Sequence, residues 1–156
     1  MELFWQRGRF TWIASKTSIS DINGKFEVVT AVPQNIDSLC RCLLELGGAE
    51  VCVPFTERDS SYLFREGKLM PIKNLSFQLG EEGECHSNSA DLWRQNKKNM
   101  DMATGYALTE EDNMWRQHSW VSHKAGYLIE TTEPRIMYFG VVLRGIRRYI
   151  FLRIYK

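Results

Sequence analysis

Three side chains in the second half of the chain supply what acyl transfer through a covalent intermediate requires. They are the thiol of Cys85, the imidazole of His118 and the carboxylate of Glu130. A thiol becomes a strong nucleophile when a nearby base takes its proton, and the base works best when a third group fixes its orientation. Cys85 follows the loop-like stretch Gly80-Glu81-Glu82-Gly83-Glu84 and opens a segment with Ala90, Leu92 and Trp93 on one side. That pattern predicts a helix beginning at Cys85, whose dipole and free N–H groups would stabilise a thiolate and a developing oxyanion. His118 lies within a strand-like run between Trp115 and Trp120, on a sheet face from which it could take the thiol proton. Glu130 comes twelve positions later, across a turn at 123–126, so antiparallel pairing about that turn brings it near His118. Glu133 is the alternative acid. Gln78, seven residues before Cys85, offers an amide that can donate to an oxyanion.

Each of these residues also has a plainer reading. Cys85 could be one more buried cysteine, His118 a core histidine, Glu130 an exposed strand residue and Gln78 a surface amide. The order and spacing of the set favour chemistry. His86 and His123 are rival bases, but His86 adjoins the cysteine on a helix and so points elsewhere, and His123 falls in the turn.

The elements that must position these groups follow from periodicity. Residues 26–32 read as a strand after a turn at Asn23-Gly24. Ile36, Leu39, Leu43, Leu44 and Leu46 recur at helical spacing, with Asn35 or Asp37 as the cap and Gly47-Gly48 as the stop. Val51-Cys52-Val53 is a short apolar run. Residues 55–75 show no firm period, Pro71 opposes a long helix, and Tyr62, Leu63, Phe64, Leu69 and Ile72 need cover. After the helix at Cys85, strands are predicted at 102–108, 114–122, 127–132 and 138–143, with a last one at 149–155. In the second of these, Trp115, Gln117, Ser119 and Val121 share one side, and Arg116, His118, Trp120 and Ser122 the other. The fold class is α+β, a nucleophile helix followed by an antiparallel sheet. One domain spans 1–156, in which 1–77 form a scaffold, 78–143 carry the chemistry and 144–156 add a basic strand.

Composition bounds the partners. The chain has 156 residues, a hydrophobic fraction of 44% and a net charge of +1, which suits a globular domain and gives no overall pull toward nucleic acid or membrane. Six basic residues and no acid follow Pro134, a pattern read as a solvated strand face. No apolar run approaches the ~20 residues of a membrane span. The start of the chain lacks the pattern of a signal peptide, so a cytoplasmic setting is expected. Cys40, Cys42 and Cys52 are expected to be buried and free of disulfides. No cysteine pair has the spacing of a structural zinc site, so no metal and no cofactor are expected.

Taken together, Cys85 with Asn88, Gly105-Tyr106-Ala107, His118-Ser119-Trp120-Val121 and Ile129-Glu130-Thr131-Thr132 resemble the transglutaminase-like branch of the papain-like cysteine peptidase superfamily. The resemblance covers residues 78–134. It implies a papain-like core, with Cys85 as nucleophile, His118 as base and acid, and Glu130 as the orienting group. Gln78 matches the glutamine that papain-like peptidases keep before their cysteine, and Asn88 and Trp120 join it as oxyanion- or substrate-binding residues. The family's acid is an Asp in Asp-Pro-Thr, whereas this chain has Glu-Thr-Thr, which leaves Glu130 and Glu133 both open. The implied activity is a thiol hydrolase or acyltransferase working on an amide or ester bond of a peptide, protein or small molecule. The rival readings are an inactive binding module using the same cleft for a protein partner, a metal site of Cys85, His86, His118 and His123, and nucleic-acid binding through the C-terminal arginines.

Overall fold

The computed structural model describes residues 33–54, 59–72 and 74–155, together with the backbone of two strands at 2–6 and 9–15. The strand expected at 26–32 and its preceding turn lie outside these residues. The architecture is α+β. Strands β1 (Glu2–Gln6) and β2 (Arg9–Ser15) precede helix α1 (Gln34–Leu46), strand β3 (Glu50–Pro54), helix α2 (Ser60–Glu66), and strands β4 (Lys68–Met70) and β5 (Leu75–Phe77). Then come helix α3 (Cys85–Gln95), strands β6 (Met100–Leu108), β7 (Met114–His123), β8 (Tyr127–Glu130) and β9 (Met137–Val142), and helix α4 (Gly145–Ile154).

The strands form one sheet in the order β1-β2-β3-β7-β6-β9-β4, with β8 pairing both β5 and β7. Its centre is the antiparallel trio β7-β6-β9, where Gly105 faces His118 on one side and Gly140 on the other. Gly105 and Gly140 are required by close approach. A Cβ on Gly105 would lie 2.2 Å from the Phe139 carbonyl, and one on Gly140 would lie 2.3 Å from the Thr104 carbonyl and 2.8 Å from Trp120.

One edge of β7 is shared. β3 runs parallel to it as far as Arg116, and β8 joins it antiparallel from Val121. The stretch 117–120 lies between these two partners. His118 therefore sits at a break in the ladder, and α3 begins there.

Helix α1 buries Ile36, Leu39, Cys40 and Leu43, the stripe its 3.6-residue period predicts. Its cap differs from expectation. The helix opens after Pro33, whose carbonyl accepts from Ile36 and Asp37, while Asn35 bonds Ser60 and Asp37 pairs with Arg41 at 2.7 Å. The stop is as expected. Gly48 has a φ of 72°, and a Cβ there would meet Leu108 and Trp115 at 2.9 Å. Trp115 also donates to the Gly47 carbonyl at 3.1 Å.

Three expectations need correction. Residues 60–66 form a short helix packed on α1 through Leu63. Of the apolar residues around it, Phe64, Leu69 and Ile72 stay exposed, as single surface hydrophobics often do. Cys40 is buried, but Cys42 and Cys52 are only half-buried, and none of the four cysteines is in a disulfide. The basic segment at 144–156 is a helix, not a strand. The antiparallel place beside β9 is taken by β4, and packing of Phe151 under α3 overrides the β-branched, aromatic composition. Three of the arginines there and before it are tied into the fold: Arg135 to Glu133, Arg147 to Asp59 and Arg148 to Asp101. No helix among the described residues is long and apolar enough to cross a membrane.

Candidate active site

The Gly126 turn (φ 91°) closes the β7–β8 hairpin and carries Glu130 back beside His118. His118 Nε2 lies 2.9 and 3.1 Å from the two carboxylate oxygens of Glu130. The Cys85 thiol is the other hydrogen-bond partner of the imidazole. Cys85, His118 and Glu130 thus converge. All three are buried, with Cys85 8%, His118 2% and Glu130 0% exposed.

Glu130 is saturated with donors. Its Oε1 accepts from the backbone N–H of Thr131 (2.7 Å) and Thr132 (2.9 Å) and from the Thr132 hydroxyl (3.1 Å). Its Oε2 accepts from the Tyr138 hydroxyl at 2.6 Å. Burial opposes ionisation, but the hydrogen bond and charge of His118, the Tyr138 hydroxyl and the Thr132 amide outweigh it and hold Glu130 at about 2. His118 shows the complementary balance. Burial pulls it down, while hydrogen bonds to Cys85 and Glu130 and the charges of both raise it to about 9. The imidazole therefore stays protonated through neutral pH against an ionised carboxylate. Tyr138 is pushed far above its ordinary range by burial and by the Glu130 charge, so it remains a hydroxyl donor.

Glu133 does not reach the site. It lies on the surface and pairs with Arg135 at 2.5 Å, while Glu130 is the carboxylate that meets the imidazole.

The remaining predicted residues fall around this centre in unequal roles. Gln78 is exposed at the end of β5, with its backbone N–H donating to the Glu130 carbonyl at 2.9 Å. It lines a groove of about 510 Å³ together with Glu84 and Ser87, which flank the start of α3. Asn88 is a staple. Its Oδ1 accepts from Glu81 N–H at 3.1 Å, and its Nδ2 donates to the carbonyls of Glu81 (2.8 Å) and Thr131 (3.3 Å). It joins α3 to the loop before Cys85 and to the residue after Glu130, which places it as a positioning residue and not an oxyanion donor. Trp120 requires correction too. It is fully buried, stacked alongside His118 with ring centroids 6.2 Å apart and edge-on to Tyr138 at 5.0 Å, so it walls the imidazole and lines no cleft.

The rival histidines lie elsewhere. His86 Nδ1 is 2.7 Å from Ser119 Oγ, on the opposite face of β7 from His118. Ser119 donates to Thr104 Oγ1 (2.9 Å), which donates to the His118 carbonyl (3.3 Å). This relay pins the first turn of α3 to the strand that carries the imidazole. His123 stacks on Tyr127 at 4.4 Å. Among the described residues, no group of three or more His, Cys, Asp or Glu is placed to hold a metal.

Sequence reasoning missed Tyr138 and the His86–Ser119–Thr104 relay. Tyr138 comes from β9, two strands from β7, so only the register of three strands together could have pointed to it.

No family model, no curated protein and no solved structure matches the chain.

Proposed function

We propose that this chain is a cysteine-dependent hydrolase or acyltransferase of the transglutaminase-like, papain-like kind. The observation that carries the reading is a single imidazole held between Glu130 on Nε2 and the Cys85 thiol. In this scheme the Cys85 sulfur, its proton already passed to His118, attacks an amide or ester carbonyl, and the first-turn N–H groups of α3 receive the oxyanion. The protonated His118 gives its proton to the leaving group, and a thioester forms. Water or an amine then attacks the thioester and gives its proton to His118, and the sulfur leaves as a thiolate beside the reprotonated ring. Glu130 keeps the ring oriented throughout and balances its charge. The substrate enters along the groove beside Gln78, which leads to the start of α3. Four cysteines without a disulfide suit a reducing, cytoplasmic setting.

The test is turnover of an activated thiol-reactive acyl substrate, such as a p-nitrophenyl ester, with formation of an acyl-enzyme seen by intact mass. Cys85→Ala should lose both while the fold is kept. An acyl adduct on another cysteine, or turnover unchanged in Cys85→Ala, overturns the reading.

The burial of all three residues favours a second reading, an inactive module that keeps the arrangement and binds a protein partner beside it. It requires that Cys85 form no acyl adduct with any activated ester, and that partner binding survive in Cys85→Ala.

A further inference from the structure

A second cavity lies across the sheet from the His118 site, between α2, α4 and the strands β6, β7 and β9. Its volume is about 150 Å³. Its body is apolar, formed by Leu63, Val141, Leu143 and Phe151. Its floor is polar, formed by Thr104 and Gln117 of the central strands, and its rim is formed by α4 with Ile150 half exposed. Gln117 and His118 are consecutive on β7 and so face opposite sides of the sheet. The cavity is therefore separate from the acyl-transfer centre.

The electrostatics of the mouth narrow what could enter. Asp59 and Arg147 both line it, 3.2 Å apart as an ion pair, and the Arg147 guanidinium lies flat over Tyr62 at 3.5 Å. The two charges compensate each other. A free anion would meet Asp59 and a free cation would meet Arg147, so neither gains at this entrance. The floor asks for hydrogen bonding without charge. A primary amide has two donors and two acceptor lone pairs, so Gln117 can serve a guest in addition to its other contacts. The volume matches one six-membered ring, since a cavity of this size lined by Leu, Ile and Phe takes a single benzene-sized molecule.

From these features we infer that the cavity is a binding site for a small, uncharged molecule with one apolar ring and one hydrogen-bonding group, of the phenol class. The ring packs between Val141, Leu143 and Phe151, and the polar group meets Gln117 and Thr104. His86 also lines the cavity and directly follows Cys85, so an occupant would sit one residue from the thiol.

The site is tested on the full chain carrying Cys85→Ala, so that the outcome does not depend on the acyl-transfer reading. Phenol is titrated at neutral pH by two-dimensional amide NMR, with benzoate and benzylammonium as charged counterparts. Phenol should give saturable shifts confined to Thr104, Gln117, Leu143 and their neighbours, and both ions should bind at least about tenfold more weakly. Val141→Phe, which fills the cavity from its wall, should weaken phenol at least about tenfold. Ile150→Trp at the exposed rim supplies the same comparison if the first variant does not fold. The inference is overturned if phenol gives no saturable shifts there, if either ion binds as tightly, or if a folded filled variant binds phenol unchanged.

Discussion

His118 Nε2 and the Glu130 carboxylate are 2.9 Å apart with neither side chain meaningfully exposed. A buried charged pair contributes little when compared with an apolar pair of the same shape, but removing one partner strands the other and costs about 3–5 kcal/mol. Glu130→Ala should therefore destabilise the protein by roughly that amount in denaturant melts. Glu130→Gln keeps the shape and part of the hydrogen bonding, so it should fold. Its amide no longer fixes the ring or balances its charge, and acyl transfer should fall by about 10²–10⁴-fold. A Glu130→Gln enzyme with an unaltered rate would remove the carboxylate from the mechanism.

The same pair sets a pH window. The folded value of Glu130 is depressed to about 2 from an ordinary 4.5, so its contribution to stability is present above 4.5 and is lost as pH falls toward 2. The folded value of His118 is raised to about 9 from an ordinary 6.5, so its contribution is complete below 6.5 and is lost as pH rises through 9. Thermal stability should therefore plateau between about 4.5 and 6.5 and decline on both sides. The alkaline decline should be absent in His118→Gln, whose side chain does not titrate. Acyl transfer should also fall above about 9, where the acid that protonates the leaving group is gone. An alkaline limb that persists unchanged in the variant belongs to some other group.

The parts of the fold that could be read from the sequence are those whose signal is local. The α1 stripe, the start of α3 at Cys85 and the turn before Tyr127 all announce themselves within a dozen residues, and all stand where expected. The choice between Glu130 and Glu133 could not be made locally, because it rests on whether the chain after β8 turns Glu133 out to Arg135. The tail failed for a related reason. Tyr149 to Tyr155 has the composition of a strand, and only the occupied edge of β9 and the contacts of Phe151 with His86 and Tyr155 make it a helix. Trp120 looked like a cleft aromatic because alternation gives a residue's face and not its depth.

The cysteines should separate cleanly under alkylation. Burial, followed by the nearby Asp37, pushes Cys40 up to about 12, and burial also raises Cys42, so both are poor nucleophiles at neutral pH. Cys85 stands at a helix start against a protonated imidazole. Limited iodoacetamide at pH 7 followed by peptide mass mapping should place the first carbamidomethyl group on Cys85. His118→Gln should slow that labelling by about tenfold or more, since the imidazolium charge that favours the reactive thiolate form is removed. Faster labelling of Cys40 or Cys42 would contradict an activated Cys85.

Tyr138 donates to Glu130 from two strands away, and its hydroxyl touches neither the thiol nor any reacting atom. Its role is to position and stabilise the carboxylate. Tyr138→Phe removes one charge-assisted hydrogen bond and leaves the ring packing on Trp120 in place. The expected cost is about 1.5–3 kcal/mol of stability, the usual worth of a hydrogen bond to a charged group. A purely structural loss would stop there. Loss of this donor also weakens the hold on ionised Glu130, so the carboxylate itself should titrate higher. Carbon-13 NMR titration of the Glu130 carboxyl in Tyr138→Phe should accordingly show its midpoint moving up from about 2, with kcat reduced and KM little changed. If stability drops while the Glu130 midpoint stays where it was, Tyr138 only fills space beneath the site.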